Sequence, residues 1–318
     1  MTASSHTVTH LIFYPIKSCG GVQLQMARIG QRGLQAGAIG DRRWMLSDAD
    51  GQMITQRQIP DLARVRVELV GSDALRVSGG GLEPVIVDPA EAGGERASVI
   101  LHRREVVGHR PPAAVDEWFS RFLGQKVSLL YQKDEDLRLC DPDYAVAPGE
   151  DRVGFADAYP YLVSAEATLA RVNRLLAEPV PMDRFRPNIV VGGAGADAEY
   201  GWKRLALGGA ELTIVKPCTR CVMTTIDQER GVKTGKEPLA TLGRAYFLSA
   251  SFGAASLQGA IFGENAIPTR LGEVAVGDTV TILERKAPHA FRDENASASG
   301  PPQTLGTQAF GQGGPPTY

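Results

Sequence analysis

The sequence predicts a mainly β protein with a few helices, arranged as two barrel-like halves. Three observations carry this. Short alternating or wholly apolar segments recur along the chain, separated by turns rich in Gly, Asp and Pro. Only two stretches space their apolar residues three and four apart, as a helix requires. No strand is followed by a Gly-rich phosphate loop and a helix, which argues against a doubly wound nucleotide-binding domain. The 36 glycines and 20 prolines among 318 residues fit a chain with many turns.

The elements follow in order. Leu11-Ile12-Phe13-Tyr14 opens as a strand, and Val22-Gln23-Leu24-Gln25-Met26 returns after Ser18-Cys19-Gly20-Gly21. Arg43-Trp44-Met45-Leu46 and Gln52-Met53-Ile54-Thr55 flank Asp48-Ala49-Asp50-Gly51, a hairpin signal with Gly where a positive φ is needed. Arg64 to Leu69 alternates with period two, and Ala74-Leu75-Arg76-Val77 returns beside it. Ala113 to Leu123 reads as a helix that buries Val115, Trp118, Phe119, Phe122 and Leu123 and stops at Gly124. Ser164 is placed to cap a second helix carrying Leu169, Val172, Leu175 and Leu176. Strands resume at Asn188–Val191, Arg204–Leu207, Glu211–Val215, Val222–Ile226 and Thr279–Leu283. From about Ala287 the chain is rich in Gly, Pro, Ser and Gln with little to bury, and reads as a loosely attached tail.

Composition excludes several classes. With 34 Lys+Arg against 36 Asp+Glu, the formal net charge of -2 lacks the basic excess of a dedicated nucleic-acid or polybasic membrane binder. A hydrophobic content of 43% supports a sizeable core. Four cysteines, Cys19, Cys140, Cys218 and Cys221, are too sparse for a disulfide scaffold and point to a reducing compartment. No run reaches the roughly 18 apolar residues that span a bilayer. Met1 to His10 lacks the basic and apolar regions of an export signal, so the expectation is a cytoplasmic protein, monomeric or a small dimer.

The sharpest local feature is Lys216-Pro217-Cys218-Thr219-Arg220-Cys221. A thioredoxin-like pair should open a helix that lowers a thiol pKa, whereas the β-rich Val222-Met223-Thr224-Thr225 follows here. A structural zinc site needs a second pair of ligands, and the remaining Cys and His are scattered. One thiolate binding a redox metal, favoured by Arg220 and Lys216, is a third use. Two small buried apolar side chains are the ordinary reading of such a pair.

Three basic segments accompany it. Tyr14-Pro15-Ile16-Lys17-Ser18-Cys19-Gly20-Gly21 joins a cation and a hydroxyl to a Gly turn, a combination suited to an anion, but it lacks the order of a P-loop. Asp41-Arg42-Arg43-Trp44 and Arg184-Phe185-Arg186-Pro187-Asn188 set Arg beside aromatic residues, with Asn188 offering an amide to a heterocycle edge. Solvated surface Arg and Lys are the commoner meaning of each alone. Spacing and chemistry thus stop at a β protein with an anionic ligand and one thiol of interest.

At these residues the chain resembles the MOSC superfamily, the molybdenum cofactor sulfurase C-terminal domain group. The resemblance is strongest to its two-domain members, the bacterial YcbX-type proteins and the mitochondrial amidoxime-reducing component. Besides Tyr14–Cys19, Asp41–Leu46, Phe185–Ile189 and Cys218–Thr225, it rests on Lys236–Leu242, Phe262–Asn265 and Val276–Asp278, in that order. It runs from about residue 8 to 285.

The resemblance implies an N-terminal MOSC-associated β-barrel domain over 1–127, completed in part by later segments, a MOSC β-barrel domain over 128–286, and a tail over 287–318. It implies that Cys221 ligates the molybdenum of a molybdopterin cofactor. Lys17, Ser18, Arg43, Ser164, Arg186, Asn188, Thr219, Arg220 and Asn265 would contact that cofactor's phosphate, its pterin or the backbone around it, leaving Cys218 incidental. The implied reaction is two-electron reduction of N-hydroxylated small molecules, with electrons from a separate flavin or iron–sulfur protein. The mitochondrial relatives' membrane segment and the ferredoxin-like domain of some bacterial relatives have no counterpart in this sequence, so neither a membrane nor an internal iron–sulfur cluster is expected. The alternative is a sulfur carrier or cofactor-transfer protein that holds a persulfide on Cys221.

Overall fold

A computed structural model describes residues 6–252 and 255–291. The fold is mainly β, with three α-helices among the described residues: α1 (Ala113–Leu123), α2 (Glu166–Asn173) and α3 (Leu239–Ala245). One nine-stranded sheet dominates. Its order is Val22–Leu24, Thr7–Phe13, Ile189–Gly192, Tyr161–Ala165, Ala255–Arg270, Ala210–Thr219, Trp202–Leu207 and Val280–Arg285, with Phe247–Phe252 paired onto Ala255–Arg270. Pairing is antiparallel except between Tyr161–Ala165 and Ile189–Gly192, which α2 connects as a crossover.

The two halves of the chain are interwoven. Thr7–Phe13 pairs with Ile189–Gly192, so the first strand and its neighbour Val22–Leu24 belong to a sheet otherwise built from the second half. In return, Gly272–Ala275 pairs with Met26–Gly30, and Ser128–Tyr131 pairs with Trp44–Ser47. Val8, Leu11 and Phe13 of the first strand share one core with Ile189, Val191, Leu205 and Leu212. Burying a side chain of that size contributes about 1.5–3 kcal/mol.

Most predicted elements stand where their patterns place them. Arg66–Val70 and Ala74–Gly79 form the expected alternating pair, with Val67 opposite Val77. In α1, Val115, Trp118 and Phe119 are buried, the Trp118 indole donates to Glu83 O at 2.8 Å, and Gly124 ends the helix at φ 66°. At the predicted hairpin, Asp48 Oδ1 accepts from the Asp50 and Gln52 amides and Gly51 sits at φ 73°. Its second limb makes only isolated bridges, Ser47 to Met53 and Gln52 to Ile100.

Four expectations are corrected. Ser164 does not cap α2: it lies within the strand Tyr161–Ala165, opposite Val190, and the helix begins at Glu166 after Ala165. Backbone pairing of Ser164 outweighs its capping tendency. The helix also ends at Asn173, whose side chain donates to Val180 O and accepts from Val180 N, both at 2.9 Å, so Leu175 and Leu176 lie beyond it. Val222–Thr225 is a 3-10 turn rather than a strand, because Thr224 and Thr225 return their hydroxyls to Cys221 O and Val222 O. The supposed tail is attached at its start. His289 Nε2 and Lys286 Nζ meet the buried Glu264 carboxylate at 2.6 and 3.0 Å, and Phe291 packs edge-on against Tyr200 and Tyr246. The rest of the tail, 292–318, lies outside the described residues.

The turn Ala198–Gly201 carries a buried carboxyl beneath this sheet. Glu199 Oε1 accepts from the Ala165 amide at 3.2 Å and Oε2 from the Thr168 hydroxyl at 2.6 Å. Burial pushes its pKa up to about 7, only partly offset by these donors. A carboxyl whose folded pKa exceeds its unfolded value stabilises the fold most below about pH 4.5 and loses that contribution as pH rises through about 7. Glu199→Gln should therefore gain stability relative to the parent as pH rises from 4.5 to 8, by on the order of 3 kcal/mol across that window. Urea unfolding at the two pH values checks this, and a constant difference between the proteins would refute it.

Candidate functional site

The basic motifs meet where the two halves interlock. Tyr14–Lys17 runs beside Asp41–Trp44: Arg42 N donates to Tyr14 O, Trp44 N to Pro15 O, and Lys17 N to Trp44 O. The paired glycines next to them serve packing: a Cβ on Gly21 would lie 2.5 Å from Tyr14 Cε1, and one on Gly20 would lie 2.8 Å from Val65 O. Gly21 thus lets the chain close over the Tyr14 ring, and Gly20 lets it approach the Val65 backbone.

Tyr14 is the centre of a cationic cluster. The Arg186 and Arg42 guanidiniums stand over its ring at 4.1 and 4.5 Å, contacts worth roughly 2 kcal/mol each when desolvated. Burial pushes the phenol up to about 12, against the pull of both arginines. Asp41, fully buried, accepts from the Tyr14 amide at 2.7 Å, from Asn188 Nδ2 at 3.1 Å, and from Arg42. Burial raises the Asp41 carboxyl while those donors and the Arg42 charge hold it down. Asn188 is fully committed, with Nδ2 also reaching Ile12 O and Oδ1 accepting from Leu162 N and Arg42.

Backbone conformation marks the same residues. Ser18, Arg42 and Arg186 all adopt the left-handed region, at φ 69°, 47° and 54°. Each such non-glycine residue costs about 1 kcal/mol or more, and strain of this kind gathers at functional sites.

From Tyr14 a polar chain extends in both directions. Arg186 Nη2 donates to Cys19 O at 2.8 Å and Nη1 to Gln228 Oε1 at 3.2 Å. Gln228 and Gln56 exchange amide hydrogen bonds at 3.0 Å, and Gln56 donates to Ser18 O at 2.7 Å. Beside Ser18, the nearly buried Lys17 donates to Phe155 O at 2.8 Å and to Asp157. Burial pulls the Lys17 pKa down to about 8 although Asp157 opposes it. In the other direction, Arg220 Nη2 donates to Phe185 O at 2.7 Å and Nη1 to Cys218 Sγ at 2.9 Å. Cys221 follows at the end of this run and is exposed.

Of the sequence-predicted residues, Lys17, Ser18, Arg186, Asn188, Thr219, Arg220 and Cys221 lie along this network or at its end. Asn265 stands opposite Lys216 on the neighbouring strand, its Nδ2 3.5 Å from Pro217 O. Ser164 is buried on the adjoining strand with Oγ unpartnered, close enough to Gly263 that a Cβ there would lie 2.5 Å away. Arg43 is committed elsewhere. Its guanidinium holds Gln132 O and Asp134 and stands 5.3 Å from the Tyr131 ring, so Arg42 is the arginine of that motif that faces the cluster. Cys218 has a partner in Arg220 rather than none. The Asp41-Arg42-Arg43 motif did not say which arginine turned toward Tyr14; Gln56, Gln228 and Asp157 had no signal at all.

The four thiols divide sharply. Cys19 and Cys140 are buried, and burial pushes both pKa values up to about 12. Cys218 is half-buried under Arg220, and Cys221 is open. Among the described residues, no three His, Cys, Asp or Glu side chains gather to bind a metal. A cleft lined by His10, Ile12, Leu169, Met182 and Val190, between α2 and the first strand, contains none of the network residues.

Residues 5–126 match the MOSC N-terminal beta barrel domain, and residues 150–281 match the MOSC domain. The chain belongs to the MOSC family. It is 32% identical over 282 residues to human mitochondrial amidoxime-reducing component 1, covering 87% of this chain and 83% of the relative. The mouse protein of that name is 33% identical over 280 residues, covering 87% and 82%. Bovine mitochondrial amidoxime reducing component 2 is 31% identical over 278 residues, covering 86% and 82%. Within the MOSC match lie Asp157, Arg186, Arg220 and Cys221; Tyr14, Lys17 and Arg42 come from the N-terminal match. The network is therefore assembled across both.

The division of the thiols has a direct consequence, because alkylation needs both access and thiolate. Brief iodoacetamide treatment of the folded protein should label Cys221 first and leave Cys19 and Cys140 unmodified until denaturant is added. Peptide mass spectrometry reads this, and early labelling of Cys19 or Cys140 would contradict the described burial.

Proposed function

We propose that this protein is a molybdenum-cofactor-dependent reductase of N-hydroxylated small molecules such as amidoximes, hydroxylamines and N-hydroxylated bases. Cys221 is its ligand to the metal, and a separate flavin or iron–sulfur protein supplies electrons. One observation carries the reading: the single exposed thiol lies at the end of a cationic network, and among the described residues no three His, Cys, Asp or Glu side chains gather to hold a metal by themselves. A metal held there would need its remaining ligands from a cofactor. The relatives' names supply the reaction class.

The donor set fits a phosphorylated pterin. Two buried donors, Ser164 Oγ and Arg220 Nε, have no protein partner, so a polar ligand would satisfy what the fold leaves open. Lys17, Arg42, Arg186 and Arg220 bring positive charge from four separate segments, which suits a phosphate. Asn188, by contrast, has spent its amide on the fold and acts by positioning Asp41 and Arg42. When bound, the cofactor supplies a two-electron redox centre for removing oxygen from nitrogen. The chain's own part is to present the Cys221 sulfur, to hold it beside Arg220, and to fix Arg220 through Phe185 O and Cys218 Sγ.

Cys221→Ser should retain the fold and lose at least tenfold in bound molybdenum and in anaerobic reduction of a benzamidoxime or hydroxylaminopurine. Undiminished metal and turnover in that variant would remove Cys221 from the site. Purified parent protein with no molybdenum or pterin, but with sulfane sulfur on Cys221, would replace the reductase reading with that of a sulfur carrier.

Lys17 gives the site a pH limit. Its charge is present below about pH 8 and lost above it, so affinity of the unloaded protein for a phosphorylated pterin should fall as pH rises through 8. Lys17→Arg, whose guanidinium stays protonated, should flatten that alkaline limb. A fluorescence titration of the pterin at pH 7 and 9 checks it; equal losses in both proteins would discount Lys17.

A further inference from the structure

Three segments distant in sequence, those of Lys17, Arg57 and His102, direct side chains at one carboxylate. Asp157 accepts from Lys17 Nζ and from His102 Nε2 (3.0 Å) at Oδ1, and from Arg57 Nη2 (3.2 Å) at Oδ2. Arg138 fixes the backbone beneath it, donating to Gly154 O, Ala156 O and, at 3.0 Å, to Asp157 O. Gln56, adjacent to Arg57, is tied to Ser18 O, so Arg57 and Lys17 are held in one frame.

The arrangement is unbalanced. Lys17 is 6% exposed while its carboxylate partner is 55% exposed, so a buried ammonium depends on an ion half in water. Donors also crowd the acceptors: two carboxylate oxygens serve Lys17, Arg57 and an imidazole, and Arg57 Nε is buried with no partner. A tetrahedral oxyanion has the additional acceptors that Asp157 lacks. The turn presenting His102 is costly as well. Leu101 pairs with Arg104, leaving His102 and Arg103 as a two-residue hairpin loop with both at positive φ, 49° and 66°. Asn-Gly normally fills such a turn, and His-Arg is a strained choice that aims an imidazole at Asp157.

We propose that Lys17, Arg57 and His102 form a site for a phosphate-class oxyanion, and that Asp157 is its resident counter-ion, displaced when such an anion enters. The incoming anion takes the Lys17, Arg57 and His102 donors and supplies an acceptor for Arg57 Nε, while Asp157 turns into the solvent that already reaches it. Burial pushes the Asp157 carboxyl up, but the Lys17 charge, the His102 contact and the Arg57 charge outweigh it and hold the carboxyl well below its usual range, so it leaves as an anion and needs no proton. The inference rests on the reading above only in giving Lys17 an anionic ligand, and its test needs neither metal nor turnover.

The test is calorimetric titration of the cofactor-free full chain with inorganic phosphate at pH 7. Asp157→Asn should bind phosphate about tenfold more tightly than the parent, the effect of removing one competing charge at contact distance in a partly wet site. Asp157→Glu, which keeps the carboxylate, should match the parent. Adding Arg57→Ala to Asp157→Asn should abolish the gain. Asp134→Asn, which removes an exposed carboxylate from Arg43, should change nothing. Asp157→Ser serves alongside Asp157→Asn should that variant fold poorly. Equal affinity in parent and both Asp157 variants, an equal gain in Asp134→Asn, or a gain surviving Arg57→Ala would each overturn the proposal. Repeating the titration on cofactor-loaded protein separates two sources of the anion: competition assigns the site to the cofactor's own phosphate, and unchanged binding assigns it to a phosphorylated substrate. A failed molybdenum analysis leaves this result standing, and the converse also holds.

Discussion

The buried Asp41 carboxylate is the constraint on which the rest of the structure depends. It receives the Tyr14 amide, the Asn188 side chain and the Arg42 guanidinium, so one anion gathers three segments from both halves of the chain. A carboxylate away from water is tolerable only when it is hydrogen-bonded and paired, and here both oxygens accept and Arg42 stands against it. Because Asn188 begins the run into the strand Ile189–Gly192, and Tyr14 leaves the strand Thr7–Phe13, the same contact fixes the seam between the two MOSC regions. The Tyr14 ring is held in place from that seam, and Arg42 and Arg186 in turn lie over it. Site geometry and fold integrity are therefore hard to separate at these residues.

How much of this was legible beforehand depended on whether the signal was local. Helix α1 was legible because its apolar spacing and its stop at Gly124 are properties of contiguous residues. The exposed Cys221 beside Arg220 was legible as a motif. Helix α2 was misjudged at both ends, since pairing of Ser164 with Val190 and the Asn173–Val180 contact are tertiary facts. The turn after Cys221 was misjudged for a subtler reason: threonines favour strands, yet their hydroxyls also serve a preceding carbonyl, and here the second tendency wins. The choice between Arg42 and Arg43 turned on one left-handed residue, which redirects a side chain without leaving a trace in composition. Gln56 and Gln228 meet across 172 positions and had nothing nearby to announce them.

The cysteines show how location divides chemistry within one residue type. Cys19 lies in the core beside the Tyr14 turn, lending its carbonyl to Arg186 while its sulfur stays inert. Cys218 and Cys221 lie at and just beyond the end of the strand Ala210–Thr219, where sheet pairing gives out. A strand end offers both rigidity behind the residue and open space ahead, which is where reactive side chains are best placed. The intervening Arg220 points back rather than outward, fastening this end to Phe185 and hence to the Tyr14 cluster.

The strap from Lys286 to Phe291 also carries the folded unit past Ala287. Glu264 is fully buried one residue from Asn265, and among the described residues the side chains that meet its carboxylate, Lys286 and His289, come from this strap. Trimming the gene at the sharp drop in sequence complexity near Ala287 would strip His289 from that carboxylate and Phe291 from Tyr200 and Tyr246. An expression boundary placed after Phe291 keeps both contacts behind the strand that carries Asn265.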